Sequence, residues 1–305
     1  EEDFQVFDTE NPACSVESVP VSVNDRTRFI YEAACCGLRD FFVKNGYKKA
    51  CVGVSGGIDS AVVACLAVAA LGAENVRGLM MPSQFSSEGS VEDAKQLAEN
   101  LGIEFHVVPI TEAYRSIVDT LIPVIGGTDF DATEENIQSR IRTLMLMALQ
   151  NKNGYVLLNC SNKSENALGI CTLYGDTGGA FSVTGDLYKT EMYDLARYIN
   201  RKFGAPIPEN ILTKEPSSEL RPNQKDSDML PSYEVVDAIL YRLIEDGQSR
   251  EEIINAGFDS DEVQKIYAMV MRNEKKRFQY PPVLRLSSSS FGHEYRMPLT
   301  HKYVK

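Results

Sequence analysis

Residues Ser55-Gly56-Gly57-Ile58-Asp59-Ser60 place two hydroxyls, two glycines and a carboxylate side by side. The glycines let the backbone turn tightly and approach an anion closely. An apolar run ending in Gly53-Val54 precedes the loop, and a small-residue helical pattern follows it. A helix starting there presents free N–H groups and the positive end of its dipole. The hydroxyls of Ser55 and Ser60 are donors for phosphate oxygens. An acid beside phosphate is repelled unless a divalent cation bridges them, so Asp59 reads as a Mg2+ ligand. The loop reads as a pyrophosphate grip. It is neither GxxxxGK[ST], since no Lys follows the glycines, nor GxGxxG. A tight strand–helix turn with a cap is the plain structural alternative.

Four further stretches carry polar chemistry. In Glu135-Asn136-Ile137-Gln138-Ser139-Arg140-Ile141-Arg142, Asn136 and Arg140 share a helix face that suits an anionic substrate, or simply solvent. Asn162-Lys163-Ser164-Glu165 follows an apolar run, and Glu165 is a candidate second Mg2+ ligand beside Asp59. Tyr174-Gly175-Asp176-Thr177-Gly178-Gly179 offers a carboxylate among glycines. Asp186-Leu187-Tyr188-Lys189-Thr190-Glu191 opens a helix from which Lys189 reaches a phosphate. Taken singly, each is also an ordinary turn or cap.

The elements that position these residues alternate. Apolar spacing predicts helices at 26–45, 60–71 and 91–101, with strands at 49–54, 75–81 and 103–110. Strand–helix alternation predicts a doubly wound parallel sheet with helices on both faces, which binds ligands at its carboxyl edge. A helix at 133–149 has Thr133 as its expected N-cap, and a fourth strand at 155–160 leads into a Gly/Ser/Thr-rich segment at 161–185 that reads as active-site loop with short helical pieces. Helices at 189–203, 233–245, 250–255 and 260–277 make a helical C-terminal region, after a polar loop at 215–231 expected to be mobile. We expect an N-terminal arm or linker at 1–24, one main domain at 25–280 and an irregular tail at 281–305.

The 305 residues carry a net charge of −12, which argues against a nucleic-acid footprint. Seven cysteines without a CxxC spacing read as reduced thiols of a cytoplasmic protein, each serving as a small core residue. No apolar run is long enough for a membrane span, and no signal peptide is visible. The chain opens on Glu1-Glu2-Asp3 rather than Met, so we expect it to be a piece of something longer. His293 and His301 read as surface side chains.

The Ser55–Ser60 loop resembles the SGGxDS loop of the ATP-pyrophosphatase superfamily, whose fold is Rossmann-like and of the adenine nucleotide alpha-hydrolase-like type. With SGGIDSA, ENIQSRIR, NKSE, YGD, DLYKTE, EPSSELRPNQKDSDMLPSY and NEKKRF in order, the chain resembles the NAD synthetase family from about residue 30 to 296. The PPVLRLSSSSFG stretch is similar to the synthetase half of glutamine-dependent members, as are Leu173 and Ala180, where ammonia-dependent members carry Lys and Asp.

The resemblance implies amidation of deamido-NAD+ to NAD+ by way of an adenylylated carboxylate, with ATP as co-substrate, AMP and pyrophosphate as products and Mg2+ as cofactor. It implies ATP and pyrophosphate contacts at Gly53, Val54, Ser55, Gly56, Gly57, Ile58, Asp59, Ser60, Cys160, Lys189 and Ser217. It implies deamido-NAD+ contacts at Asn136, Arg140, Glu165 and Lys276, Mg2+ ligands at Asp59 and Glu165, and catalytic roles for Asp176 and Lys189. Cys160 stands where many members have a Thr. The ammonia comes from solution or from an N-terminal nitrilase-like glutaminase domain, and a homodimer or larger homo-oligomer is expected. Competing readings are sulfur transfer or tRNA modification, a non-catalytic nucleotide-binding module, and GMP synthetase. The first predicts a catalytic CxxC or a basic appendage; the second predicts loss of Asp59, Glu165 or Lys189; the third does not explain ENIQSRIR or DLYKTE.

Overall fold

A computed structural model describes residues 26–126, 129–222, 224–292 and 294–302. The arm expected at 1–24 and His293 lie outside the described residues. Five parallel strands form one sheet in the order β3-β2-β1-β4-β5. They are β1 (Lys49–Gly53), β2 (Val76–Met80), β3 (Glu104–Val107), β4 (Tyr155–Asn159) and β5 (Phe181–Ser182). The central strand is β1: Ala50 aligns with Val76 on one side and Val156 on the other.

Successive strand residues point to opposite faces, and both faces are covered. Ala50 and Val52 join Val156 and Leu158 in one core, under α1 (Arg26–Lys44), α2 (Ile58–Leu71), α3 (Glu88–Leu101) and α7 (Lys189–Phe203). Cys51 and Leu157 join Ile110, Ile137 and Ile141 in the other, under α4 (Thr111–Ile125) and α5 (Ala132–Asn153). A third core joins α6 (Lys163–Leu168), α9 (Tyr233–Ile244), α10 (Arg250–Asn255) and α11 (Ser260–Arg272). Two short helices, α8 (Glu209–Thr213) and α12 (Glu274–Arg277), complete the α-helices of the described residues.

The structure corrects several expected boundaries. Thr133 is not the N-cap of α5: Asp131 caps it, accepting from Thr133 N at 2.6 Å, and Glu134 returns a bond to Asp131 N at 2.9 Å. The acid two residues upstream wins because it closes a reciprocal capping box. The third strand ends at Val107, although Val108 N and Ile110 N still bond to Met80 O and Pro82 O. Residues 111–125 then form α4, an element not expected from the sequence. The long helix expected at 260–277 breaks at Asn273, whose Nδ2 donates to Met269 O and to Leu168 O. Its side chain competes for backbone carbonyls that a continuous helix would keep to itself.

Candidate nucleotide and amide-forming site

The 55–60 loop lies at the carboxyl end of β1. Ser60 Oγ accepts from Ser55 N at 3.1 Å and donates to Gly57 O at 3.0 Å, and Ser55 Oγ accepts from Gly57 N at 3.2 Å. These bonds fix the turn. The helix that follows starts at Ile58 with no side-chain cap, so its first N–H groups face an incoming anion. Gly56 has φ +77, and a Cβ there would sit 2.3 Å from Ser90 O. Only glycine fits that conformation and that close approach. Gly53 and Val54 lead in from β1, and Ile58 packs into the core behind the loop.

Lys189 Nζ lies 2.6 Å from Asp59 Oδ2 and 3.6 Å from Glu165 Oε1. Asn162 Nδ2 donates to Asp59 Oδ1 at 3.0 Å. Burial by itself lowers a lysine, but the charges of Asp59 and Glu165 overcome it and hold Lys189 above its usual range. Burial, then repulsion from Asp59, raises Glu165, against the pull of Lys189. Cys160 stands beside the same acids, and burial raises its thiol, which stays neutral. The structure thus brings Asp59, Glu165, Lys189 and Cys160 together at the loop.

Asp176 lies past the carboxyl end of β4, where its backbone O accepts from Asn159 Nδ2 at 2.7 Å. Its Oδ1 accepts from Ser139 Oγ at 2.7 Å and from Thr172 N at 2.9 Å. The residue is exposed as a whole, while its carboxyl, held under Ser139 and Thr172, is raised by desolvation against the bonds those two donate. Asn136 Oδ1 accepts from Thr172 Oγ1 at 2.6 Å, and Arg140 Nε donates to Leu173 O at 3.2 Å, so both border this loop. Lys276 is tethered instead: its Nζ donates to Gly169 O at 2.6 Å and to Cys171 O at 2.9 Å. Ser217 is exposed, and its hydroxyl accepts from Glu219 N within its own loop. Neither Lys276 nor Ser217 shares a hydrogen bond with Asp59, Glu165 or Asp176 among the described residues.

Sequence reasoning passed over several residues that hold the site. Lys163 is fully buried and pairs with Asp186 at 2.8 Å and with Glu245. Its Nζ also donates to Ser287 Oγ at 2.7 Å and to Ser289 O at 2.9 Å, tying in the segment after Pro282. Lys163 N donates to Leu187 O at 2.7 Å, Lys189 N to Ser164 Oγ at 2.9 Å, and Thr190 N to Asp237 Oδ2 at 2.8 Å. Glu219 accepts from Ser87 N, Ser87 Oγ and Ser90 Oγ, which anchors the 215–222 segment beside the loop. The run of four polar residues in NKSE was the available signal: Asn162 faces Asp59, Lys163 faces Asp186 and Ser164 faces Asp237.

An anion loop closing the central strand, opposite a lysine held between acids, is the build of an α/β protein that binds nucleotide phosphates. Comparison with known proteins says which kind: residues 30–280 match the NAD synthase family, and the chain belongs to that family. It is 52% identical over 276 residues to the glutamine-dependent NAD(+) synthetase of Aquifex aeolicus, covering 90% of this chain and 48% of that protein. The corresponding Thermotoga maritima protein is 47% identical over 279 residues, with 91% and 48% covered. The chain spans about half the length of the curated relatives it matches.

Among solved structures it is similar to the glutamine-dependent NAD+ synthetase of Acinetobacter baumannii in complex with ADP, at 41% identity and TM-score 0.61, over 90% of this chain and 49% of that one. It is similar to the NMN synthetase of Francisella tularensis at 26% identity and TM-score 0.71, over 82% and 95% of the two chains. It is also similar to the NH3-dependent NAD synthetase of Campylobacter jejuni, at 30% identity and TM-score 0.66, again over 82% and 95%. The fold is the α/β, adenine nucleotide alpha-hydrolase-like one that the sequence led us to expect. No helix among the described residues is long and apolar enough to cross a membrane.

Proposed function

We propose that this chain amidates deamido-NAD+ to NAD+ at the expense of ATP. The observation that carries the reading is Lys189, held between Asp59 and Glu165 at the uncapped end of α2. The substrate carboxylate attacks the α-phosphorus of ATP; the bond from that phosphorus to the bridging oxygen breaks, and pyrophosphate leaves. Loop N–H groups and Lys189 take up the charge that moves onto pyrophosphate. Ammonia then adds to the acyl carbon, AMP departs with the bond's electron pair, and Asp176 accepts the proton that nitrogen loses. Asn136 and Arg140 border the dinucleotide, with Glu165 and Lys276 also on its path; Cys160 and Ser217 line the ATP side.

The donor set fits Mg2+. Asp59 and Glu165 already converge on one cation, the ammonium of Lys189, and Mg2+ takes one or two carboxylates together with substrate phosphates. Bound by Asp59 and Glu165, it would neutralise phosphate charge.

The rest of the reading follows the relatives. Those named glutamine-dependent are twice as long as the matched region, so we assign ammonia delivery in the whole protein to a glutaminase domain. A homo-oligomer working in the cytoplasm, with the synthetase domain at 25–280, belongs to the same reading. The experiment is product analysis with ATP, MgCl2 and deamido-NAD+, with ammonium or glutamine as nitrogen source and nicotinate mononucleotide as competing acceptor. NAD+ and AMP in equal amounts from ammonium are expected. Amidation of the mononucleotide in preference would overturn the substrate, and ATP cleavage with no amide would overturn the reaction.

A further inference from the structure

Arg142 has no part in the reading above. It lies on α5, and its Nε donates to Met81 O at 3.0 Å, at the carboxyl end of β2. Among the described residues that is its one hydrogen bond, and both terminal nitrogens are without a protein acceptor. The side chain is half-buried. Burial lowers its pKa to about 10, while the carboxylates of Glu219 and Asp176 push the other way. It therefore stays charged at neutral pH.

Those two acids fix its place in the cleft. Glu219 is bonded to Ser87 and Ser90, and Gly56 of the phosphate loop turns against Ser90 O. Asp176 hangs from Ser139, one turn earlier on α5. Arg142 lies beside the carboxyl end of β2, one turn along α5 from the Ser139–Asp176 bond. A half-buried guanidinium whose terminal N–H groups reach solvent and have no protein acceptor among the described residues is open to an anion in the cleft. A planar oxyanion pairs with it through two N–H···O bonds that lysine cannot reproduce. The nearness of Asp176, which works at the acyl carbon, argues for the acceptor's carboxylate rather than the triphosphate.

We propose that Arg142 grips the carboxylate of the acceptor substrate and thereby selects acid over amide. This rests on the amidation reading. The test is calorimetric titration of deamido-NAD+ and of NAD+, which differ as carboxylate and carboxamide. Each is titrated, with a non-hydrolysable ATP analogue present, into the 305-residue chain and into Arg142→Gln and Arg142→Lys. The unaltered chain should bind the acid more tightly. Arg142→Gln should weaken acid binding about tenfold or more, leave amide binding nearly unchanged, and keep the KM for ATP within about twofold. Arg142→Lys should fall between, and carries the test if the Gln variant fails to fold. Folded variants that keep the acid preference overturn the proposal, as does a loss that falls on ATP instead. Absence of any NAD+ from the unaltered chain sinks the amidation reading itself; product with an unchanged preference sinks Arg142 alone.

Discussion

Ser164 Oγ accepts the backbone N–H of Lys189 at 2.9 Å and donates to Asp237 Oδ1 at 2.5 Å. Through that hydroxyl, the start of α6 and the start of α7 lie side by side. One segment delivers Asn162 and Glu165 to the charged centre, and the other delivers Lys189. The geometry of the site is set by this seam.

The seam gives a pH signature. Burial raises Asp237 to about 6, against the bonds from Ser164 and Thr190. A carboxyl raised in the fold keeps its proton where the unfolded chain has lost it, so folding stability falls as pH rises from about 4 to about 6. The full effect of such a shift is about 3 kcal/mol. Urea unfolding of the unaltered chain minus that of Asp237→Asn should show this decline between pH 4 and pH 6.5. A difference that is flat with pH would contradict it.

Removing the cation between Asp59 and Glu165 leaves two carboxylates facing each other. Lys189→Met should lower activity by about 100-fold or more and destabilise the fold by about 3 kcal/mol. Added MgCl2 should restore much of the melting temperature, because Asp59 and Glu165 then share another cation. Thermal melts with MgCl2 and with EDTA make the comparison.

Lys163 is buried with Asp186 and Glu245 and also binds Ser287 and Ser289. Lys163→Met leaves those acids unpaired and should cost about 3–5 kcal/mol. Ser287→Ala removes one donor to Asp186 and one acceptor for Lys163, and should cost about 1 kcal/mol. Chemical denaturation of both variants orders them, and a Lys163→Met loss no larger than that of Ser287→Ala would refute the account.

At Gly56, φ is +77 and Ser90 O lies 2.3 Å from the added carbon. Gly56→Ala should cost about 2 kcal/mol or more and weaken ATP binding. A Cβ at Gly89 meets nothing within 4 Å, so Gly89→Ala serves as the neutral control. Equal behaviour of the pair, by melting and by ATP titration, would contradict the close-approach argument.

Asp176 is assigned to the second half of the reaction only. Asp176→Asn should slow NAD+ formation by about 100-fold or more while ATP–pyrophosphate exchange driven by deamido-NAD+ persists. Loss of both in equal measure would place Asp176 in adenylylation or in folding.

Much of this molecule was legible in its sequence because the signals are local. The turn at Ser55–Ser60 depends on neighbouring glycines and hydroxyls, and the helices around the sheet follow from apolar spacing. Errors arose where a local rule had a rival. Asp131 outcompeted Thr133 as a cap, and Asn273 diverted carbonyls that would have continued a helix. Helix α4 was missed where only residues 108–110 separate it from the third strand.

What the sequence determined was the set of reactive groups and the turns that carry each one: the loop of Ser55–Ser60, Glu165, Asp176 and Lys189. Only the tertiary structure decided which of them meet. Lys189 reaches Asp59 across 130 residues of chain, and Lys163 is pinned by Ser287 across 124. Among the described residues, Arg142 is left without a protein acceptor for its terminal nitrogens. Local propensity acts over a few neighbouring residues, whereas a charge in the interior is stabilised by whatever the packed fold places beside it, and that partner has no fixed distance along the chain.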